Sequence, residues 1–227
     1  MSGLTFGELD RDGAIAEAVD QVSGGTRAEL LGKAAVGGAA LLGALAAAGR
    51  GEAATAPSDV GILNYALTLE YLQAAFYTEA ERLGVVRGKL VGVPRQLGAV
   101  ERGHVTALKQ VLGSAAVARP GFNFRGVTED QTKFLQTAVA FEDLAAAAYK
   151  AQAARIKAPA LLAAAVSIHS VEARHAAWMR YLAGAQPAAA AFDEGKPVAE
   201  VRQIVASTRF VVARPRMTSS RKPKHTG

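Results

Sequence analysis

The segments VERGHVTAL (residues 100–108) and VEARHAAWM (residues 171–179) each carry the pattern Glu-x-x-His within a run of helix-forming residues. Glu and His three positions apart lie on the same face of an α-helix, so each segment can direct one carboxylate and one imidazole to a common point. The surrounding apolar residues recur every three or four positions, which is typical of an amphipathic helix facing a core. The two segments therefore predict buried helices that carry polar groups on their inward faces.

A second pair of similar segments precedes them. LEYLQAAFY (69–77) and FEDLAAAAY (141–149) share a Glu, a Leu two positions after it and a final Tyr. Their Glu residues precede the Glu of the next Glu-x-x-His segment by 31 and 30 positions, respectively. A helix pair that occurs twice predicts a four-helix bundle with pseudo-two-fold symmetry.

The rest of the sequence after Pro57 agrees with an all-α fold. Long stretches lack Pro and are rich in Ala, Leu, Glu, Gln and Arg, whereas β-branched runs bounded by turn residues are almost absent. A short helix is expected from about Pro197. The first main helix is predicted to run from an N-cap at Ser58 or Asp59 to Leu83, and the second from near Pro94 to a point before Gly113. The third is predicted to begin with a capping box of Thr128 and Gln131, and the fourth to run from near Pro159 to a point before Gly184.

Each main helix carries one Glu near its middle on the inward stripe, and no Lys or Arg on these stripes is placed to pair with it. Buried carboxylates without partners are costly, so a set of four indicates bound cations; the alternative is a buried ion-pair network. The absence of Cys excludes thiolate ligands, and two His with carboxylates suit two Fe ions or two Mn ions. The predicted metal ligands are Glu70, Glu101, His104, Glu142, Glu172 and His175.

Within this set we expect Glu101 and Glu172 to bridge the metals and Glu70 and Glu142 to be terminal ligands. Tyr77 and Tyr149 follow their helix's Glu by two turns, and His169 precedes Glu172 by three positions. These three side chains are candidates for hydrogen bonds to the ligands. The competing interpretation is core packing for the tyrosines and partial exposure for His169.

On these residues the chain resembles the bacterial ferritin-like family, in the group with twin-arginine-type leaders that includes desiccation-associated proteins. The resemblance covers roughly residues 57–184 and all six ligand positions. It implies a ferritin-like four-helix bundle that binds two metals and oxidises Fe(II) with dioxygen or peroxide, or consumes peroxide, in stress protection. The reaction stays open, because related sites serve storage, oxidase, peroxidase and catalase functions. The alternative is a non-catalytic metal-binding or structural bundle anchored at the membrane.

The two ends of the chain differ from the bundle in composition. Residues 1–26 are expected to be flexible, and residues 27–56 resemble a leader or anchor because residues 34–49 carry no charge. Ala28 stands where a twin-arginine leader has its second Arg. We expect export or membrane association through residues 34–49, the alternatives being an Ala/Gly-rich helix or linker and a cytoplasmic protein. Residues 185–227 are expected to form an extension with the short helix and a basic tail.

The net charge of +6 comes from that tail. Seven of the 26 basic residues follow Glu200 with no acidic residue among them, which leaves 19 basic against 20 acidic residues elsewhere. No nucleotide-binding loop, Ser/His/Asp set or nucleic-acid motif is present, so metal ions and dioxygen or peroxide are the expected partners and nucleic acid is not. An oligomer is compatible with the sequence.

Overall fold

A computed structural model describes residues 57–213, and its main body is a bundle of four long helices. The helices are α1 (Pro57–Leu83), α2 (Val93–Leu112), α3 (Gln131–Ala153) and α4 (Pro159–Leu182), followed by the shorter α5 (Val198–Thr208). Two-residue strands, β1 (Gly121–Phe122) and β2 (Val211–Val212), pair antiparallel. The prediction of an all-α bundle with a short C-terminal helix is confirmed.

The packing of the long helices follows the repeat in the sequence. Helix α1 packs chiefly against α2 and helix α3 against α4, with α1 and α3 also in contact. Each pair is joined by a short connection, and Gly84 ends α1 with a φ of +61°, a left-handed conformation that favours Gly. The long connection from α2 to α3 carries β1, so that the second pair begins after a crossover segment.

An aromatic cluster fills one part of the bundle core. The Phe76 ring stacks on Phe134 with centroids 5.2 Å apart and meets Phe124 and Phe141 edge to face at 5.5 and 5.1 Å. Phe210, directly before β2, contacts Phe124 with centroids 5.5 Å apart. Because Phe124 lies in the crossover segment, this cluster joins both that segment and the C-terminal extension to the bundle.

The predicted capping box at the start of α3 is wrong. Asp130 is the N-cap, and its carboxylate accepts a hydrogen bond from the Lys133 backbone N–H at 2.8 Å. The Thr128 hydroxyl instead donates to the Glu79 carboxylate at 2.6 Å. Thr128 is fully buried against α1 by the turn that precedes α3, so it is not available to cap that helix.

The predicted N-cap role of Ser58 or Asp59 for α1 is also wrong, because the helix already includes Pro57. Asp59 is fully buried and accepts hydrogen bonds from the backbone N–H groups of Lys157 and Ala158, each at 3.0 Å. These groups lie immediately before α4. The side chain therefore fixes the turn that leads into a neighbouring helix rather than capping its own, which a local sequence pattern does not reveal.

The predictions for residues 1–26 and 27–56, including residues 34–49, lie outside the described residues, as does the part of the basic tail after residue 213. Over residues 57–213, none of the helices has both the length and the apolar character needed to cross a bilayer.

Candidate metal centre

Each of the four long helices places one Glu at the centre of the bundle. These residues are Glu70 of α1, Glu101 of α2, Glu142 of α3 and Glu172 of α4, and none has exposed surface. The helical spacing adds one imidazole from α2 and one from α4, since His residues follow Glu101 and Glu172 by three positions. The structure thus brings together all six residues that the sequence singles out: Glu70, Glu101, His104, Glu142, Glu172 and His175, here called the six-residue cluster.

The six-residue cluster divides into two overlapping groups of four. One consists of Glu70 and His104 with Glu101 and Glu172, and the other of Glu142 and His175 with the same two Glu residues. In each group one ligand atom per residue lies within 4.8 Å of the others. We call the two places the Glu70 position and the Glu142 position. Glu101 and Glu172 belong to both groups, as carboxylates that bridge two metal ions must.

Each imidazole lies near the terminal Glu of its own group and near at least one of the two shared Glu residues. His104 Nδ1 lies 3.3 Å from Glu70 Oε2 and 3.1 Å from Glu172 Oε1. His175 Nδ1 lies 3.0 Å from Glu101 Oε1 and 3.5 Å from Oε2 of Glu142. Only about a tenth of each imidazole side chain is exposed, at 12% and 10%, so the cluster is enclosed by the bundle.

Two of the carboxylates have no donor near them other than the imidazoles. All four oxygens of Glu101 and Glu172 are buried and accept no hydrogen bond, although an imidazole nitrogen lies near each residue. Across residues 57–213, no Lys or Arg forms an ion pair with any Glu of the cluster. Bare buried carboxylates are strongly unfavourable, whereas an O- and N-donor set of this kind suits iron or manganese. The residues present therefore fit two divalent metal ions.

The other two carboxylates are held by tyrosines from the opposite helix. The Tyr149 hydroxyl on α3 donates to Glu70 Oε1 at 2.5 Å, and the Tyr77 hydroxyl on α1 donates to Glu142 Oε1. Burial, together with the negative charge of the bonded Glu, raises the pKa of both tyrosines well above the ordinary value. They therefore stay protonated and act as fixed donors that orient Glu70 and Glu142.

Sequence reasoning missed one contact of the cluster, and it left His169 open between a contact with the ligands and partial exposure. Gln73 of α1 is 2% exposed, and its Nε2 donates to Glu142 Oε2 at 3.2 Å. The available signal was a Gln on an otherwise apolar stripe, at a position where the repeat has Ala145. His169 is partly buried and forms no hydrogen bond or ion pair with the cluster in the described part of the chain.

Raised pKa values favour protons on Glu101, Glu172 and both imidazoles when no metal is bound. Burial and the charge of Glu142 raise the pKa of Glu101 to about 7, and burial with the charge of Glu101 raises the pKa of Glu172 well above its usual range. Burial alone would lower the pKa of His175, but the adjacent Glu101 and Glu142 carboxylates raise it to about 10. The pKa of His104 is raised in the same way, chiefly by the charge of Glu70. Metal ions would have to displace these protons.

Comparison with known proteins assigns a family. The family model described as a ferritin-like domain matches residues 58–185, a range that contains the entire six-residue cluster. A search of curated proteins found no match to the chain.

Proposed function

The chain belongs to the ferritin-like domain family, and from this premise we propose that it binds two metal ions and oxidises Fe(II) with dioxygen or peroxide, or otherwise consumes peroxide, in stress protection. One observation carries the proposal. Two four-residue groups share Glu101 and Glu172, whose buried oxygens have only imidazole nitrogens as neighbouring donors. Four carboxylates in one enclosed space are balanced in charge by two divalent ions.

The residues divide into terminal and shared ligands. Glu70 with His104 would hold one ion, Glu142 with His175 would hold the other, and the shared pair would contact both. Two Fe(II) ions there would supply electrons to dioxygen or peroxide, whereas two Mn ions would supply a redox pair that disproportionates peroxide.

The protein around the cluster selects the reactants by size and keeps the ligands fixed. The four Glu residues have no exposed surface and the two imidazoles have little, so the enclosed site suits reactants as small as dioxygen or peroxide. The hydroxyl groups of Tyr77 and Tyr149 keep their protons and hold the terminal carboxylates in place. Low exposure also strengthens the electrostatic interaction between the carboxylates and bound cations.

The test is turnover by the full chain loaded with Fe(II) without oxygen and then mixed with dioxygen or hydrogen peroxide, with a parallel peroxide assay after Mn(II) loading. Glu101→Ala removes a shared ligand, whereas Glu81→Ala changes an exposed Glu of α1 outside the cluster. We expect the first variant to lose oxidation and the second to match the wild type. Equal rates in all three proteins would refute catalysis and favour the non-catalytic metal-binding or structural bundle.

A location outside the cytoplasm, or at the membrane, forms part of the proposal and rests on the uncharged run of residues 34–49. Fractionation of cells that express the full chain tests it. Recovery in the membrane or extracytoplasmic fraction is the expected result, and recovery in the cytoplasmic fraction alone would contradict it.

A further inference from the structure

The two metal positions are built alike in most respects. In each, Oε1 of the terminal Glu accepts a tyrosine hydrogen bond, while Oε2 faces the imidazole of the same position. In the Glu70 position, Oε2 lies 3.3 Å from His104 Nδ1, and in the Glu142 position, Oε2 lies 3.5 Å from His175 Nδ1. Because Oε2 faces the other ligands in both halves, it is the oxygen that would face the metal.

One side chain breaks this symmetry. Gln73 Nε2 donates to Oε2 of Glu142 at 3.2 Å. When the repeated segments 69–77 and 141–149 are aligned, the counterpart of Gln73 is Ala145, which has no donor to offer Glu70. The oxygen of Glu142 that would bind metal is therefore partly occupied by an amide hydrogen bond, whereas the matching oxygen of Glu70 faces the His104 imidazole and accepts no amide hydrogen bond.

The Gln73 contact is built into the core rather than adventitious. Gln73 and Tyr77 lie four residues apart on one face of α1, and both donate to Glu142. The Gln73 side chain is 2% exposed, and its amide must present Nε2, since its oxygen would repel the carboxylate. A donor on a ligating oxygen withdraws electron density and uses one of the lone pairs that a metal needs.

We propose that Gln73 makes the two metal positions unequal, so that the Glu70 position binds metal first and the Glu142 position binds second and more weakly. The inference rests on the proposed dinuclear function and specifies the order in which the site fills. Isolated metal at the Glu70 position is then the first species formed as metal becomes available. The coupled pair that two-metal chemistry requires forms only at higher metal concentration.

The experiment is a stepwise titration of the metal-free full chain with Mn(II) under argon. Calorimetry and electron paramagnetic resonance monitor the binding at each step. The wild type should show two binding steps that differ at least about tenfold in dissociation constant. At one equivalent the spectrum should be that of isolated Mn(II), and at two equivalents that of a spin-coupled pair. His175→Ala should keep the tighter step and His104→Ala the weaker one.

Two variants test the role of the amide. Gln73→Met keeps a similar shape without a donor and should bring the two dissociation constants within about threefold of each other. Ala145→Gln places a matching amide beside Glu70 and should weaken the first step. Circular dichroism checks that each variant is folded, and the Gln73→Met result decides the matter if the larger side chain at 145 prevents folding.

The outcomes separate the inference from the function on which it rests. Two equal steps, a coupled pair already at one equivalent, or an unchanged difference in Gln73→Met would overturn the inference and leave the dinuclear function standing. Failure of the wild type to bind Mn(II), and Fe(II) in the same assay, would overturn both.

Discussion

Replacing Glu101 with Gln should stabilise the metal-free protein and abolish its stabilisation by metal. Both oxygens of Glu101 are buried, and burial with the charge of Glu142 outweighs the contacts with the two imidazoles, so the charged form is disfavoured in the folded chain. The amide has nearly the same shape and no charge. The substitution therefore removes an unfavourable charge from the metal-free fold and a ligand from the metal-bound one.

The magnitude follows from the pKa of Glu101, which burial and the charge of Glu142 raise from 4.5 to about 7. A raised carboxyl pKa means that the folded chain binds more protons than the unfolded chain between these values, so stability falls as pH rises through that range. The full penalty, on the order of 3 kcal/mol, is present above pH 7. Gln should recover about 1–3 kcal/mol of it, because its own polar atoms also need partners.

The assay is thermal unfolding of the full chain, freed of metal by a chelator, near pH 8.5 and near pH 5.5. At the higher pH, Glu101→Gln should raise Tm by about 2–4 °C per kcal/mol recovered, and at the lower pH the gain should be smaller. Glu81→Gln, at an exposed side chain of the same type, should leave Tm unchanged at both pH values. Added Mn(II) should raise the Tm of the wild type and of the control, but not of Glu101→Gln.

A lower Tm for metal-free Glu101→Gln near pH 8.5 would refute the reasoning, since it would show that the carboxylate is stabilising without metal. An equal gain at both pH values would refute the assignment of the effect to ionisation.

Three further results are expected from the same structure. Tyr77→Phe removes a hydrogen bond to the Glu142 carboxylate and should lower the free energy of unfolding by ~1.5–3 kcal/mol, measured by urea denaturation; no change would contradict the contact. Mn(II) affinity should increase as pH rises from 6.5 towards 10, because the His175 pKa of about 10 means that binding displaces its proton; calorimetry in buffers of different ionisation enthalpy measures that release, and pH-independent binding would contradict it. Asp59→Ala removes the acceptor of the Lys157 and Ala158 backbone N–H groups before α4 and should cost ~1–3 kcal/mol by thermal unfolding, whereas an unchanged Tm would show that these hydrogen bonds contribute nothing.

The fold was predictable because its determinants are local and repeated. Apolar residues at spacings of three and four define each helix, and the matching segments at 69–77 and 141–149 reveal the paired arrangement. The burial of the Glu and His residues followed from the same periodicity, since residues three or four positions apart lie on one face of a helix.

The features that were missed depend on contacts between distant segments. Asp59 binds the turn before a helix that begins 100 positions later, and β1 pairs with β2 across nearly as long a stretch, so neither has a local signal. The two-residue strands are too short for an alternating pattern to show. Gln73 was visible as a polar residue on an apolar stripe, but its partner, Glu142 on α3, became known only when the helices were packed together.

The measurement that tests the central claim most directly is metal content by mass spectrometry of the purified full chain, alongside Glu101→Ala and Glu81→Ala, after anaerobic loading with Fe(II) or Mn(II). About two ions per chain in the wild type and in Glu81→Ala, with loss in Glu101→Ala, is the predicted result. A folded wild-type chain that retains no metal would contradict the account and would leave the six-residue cluster a polar core that holds only protons.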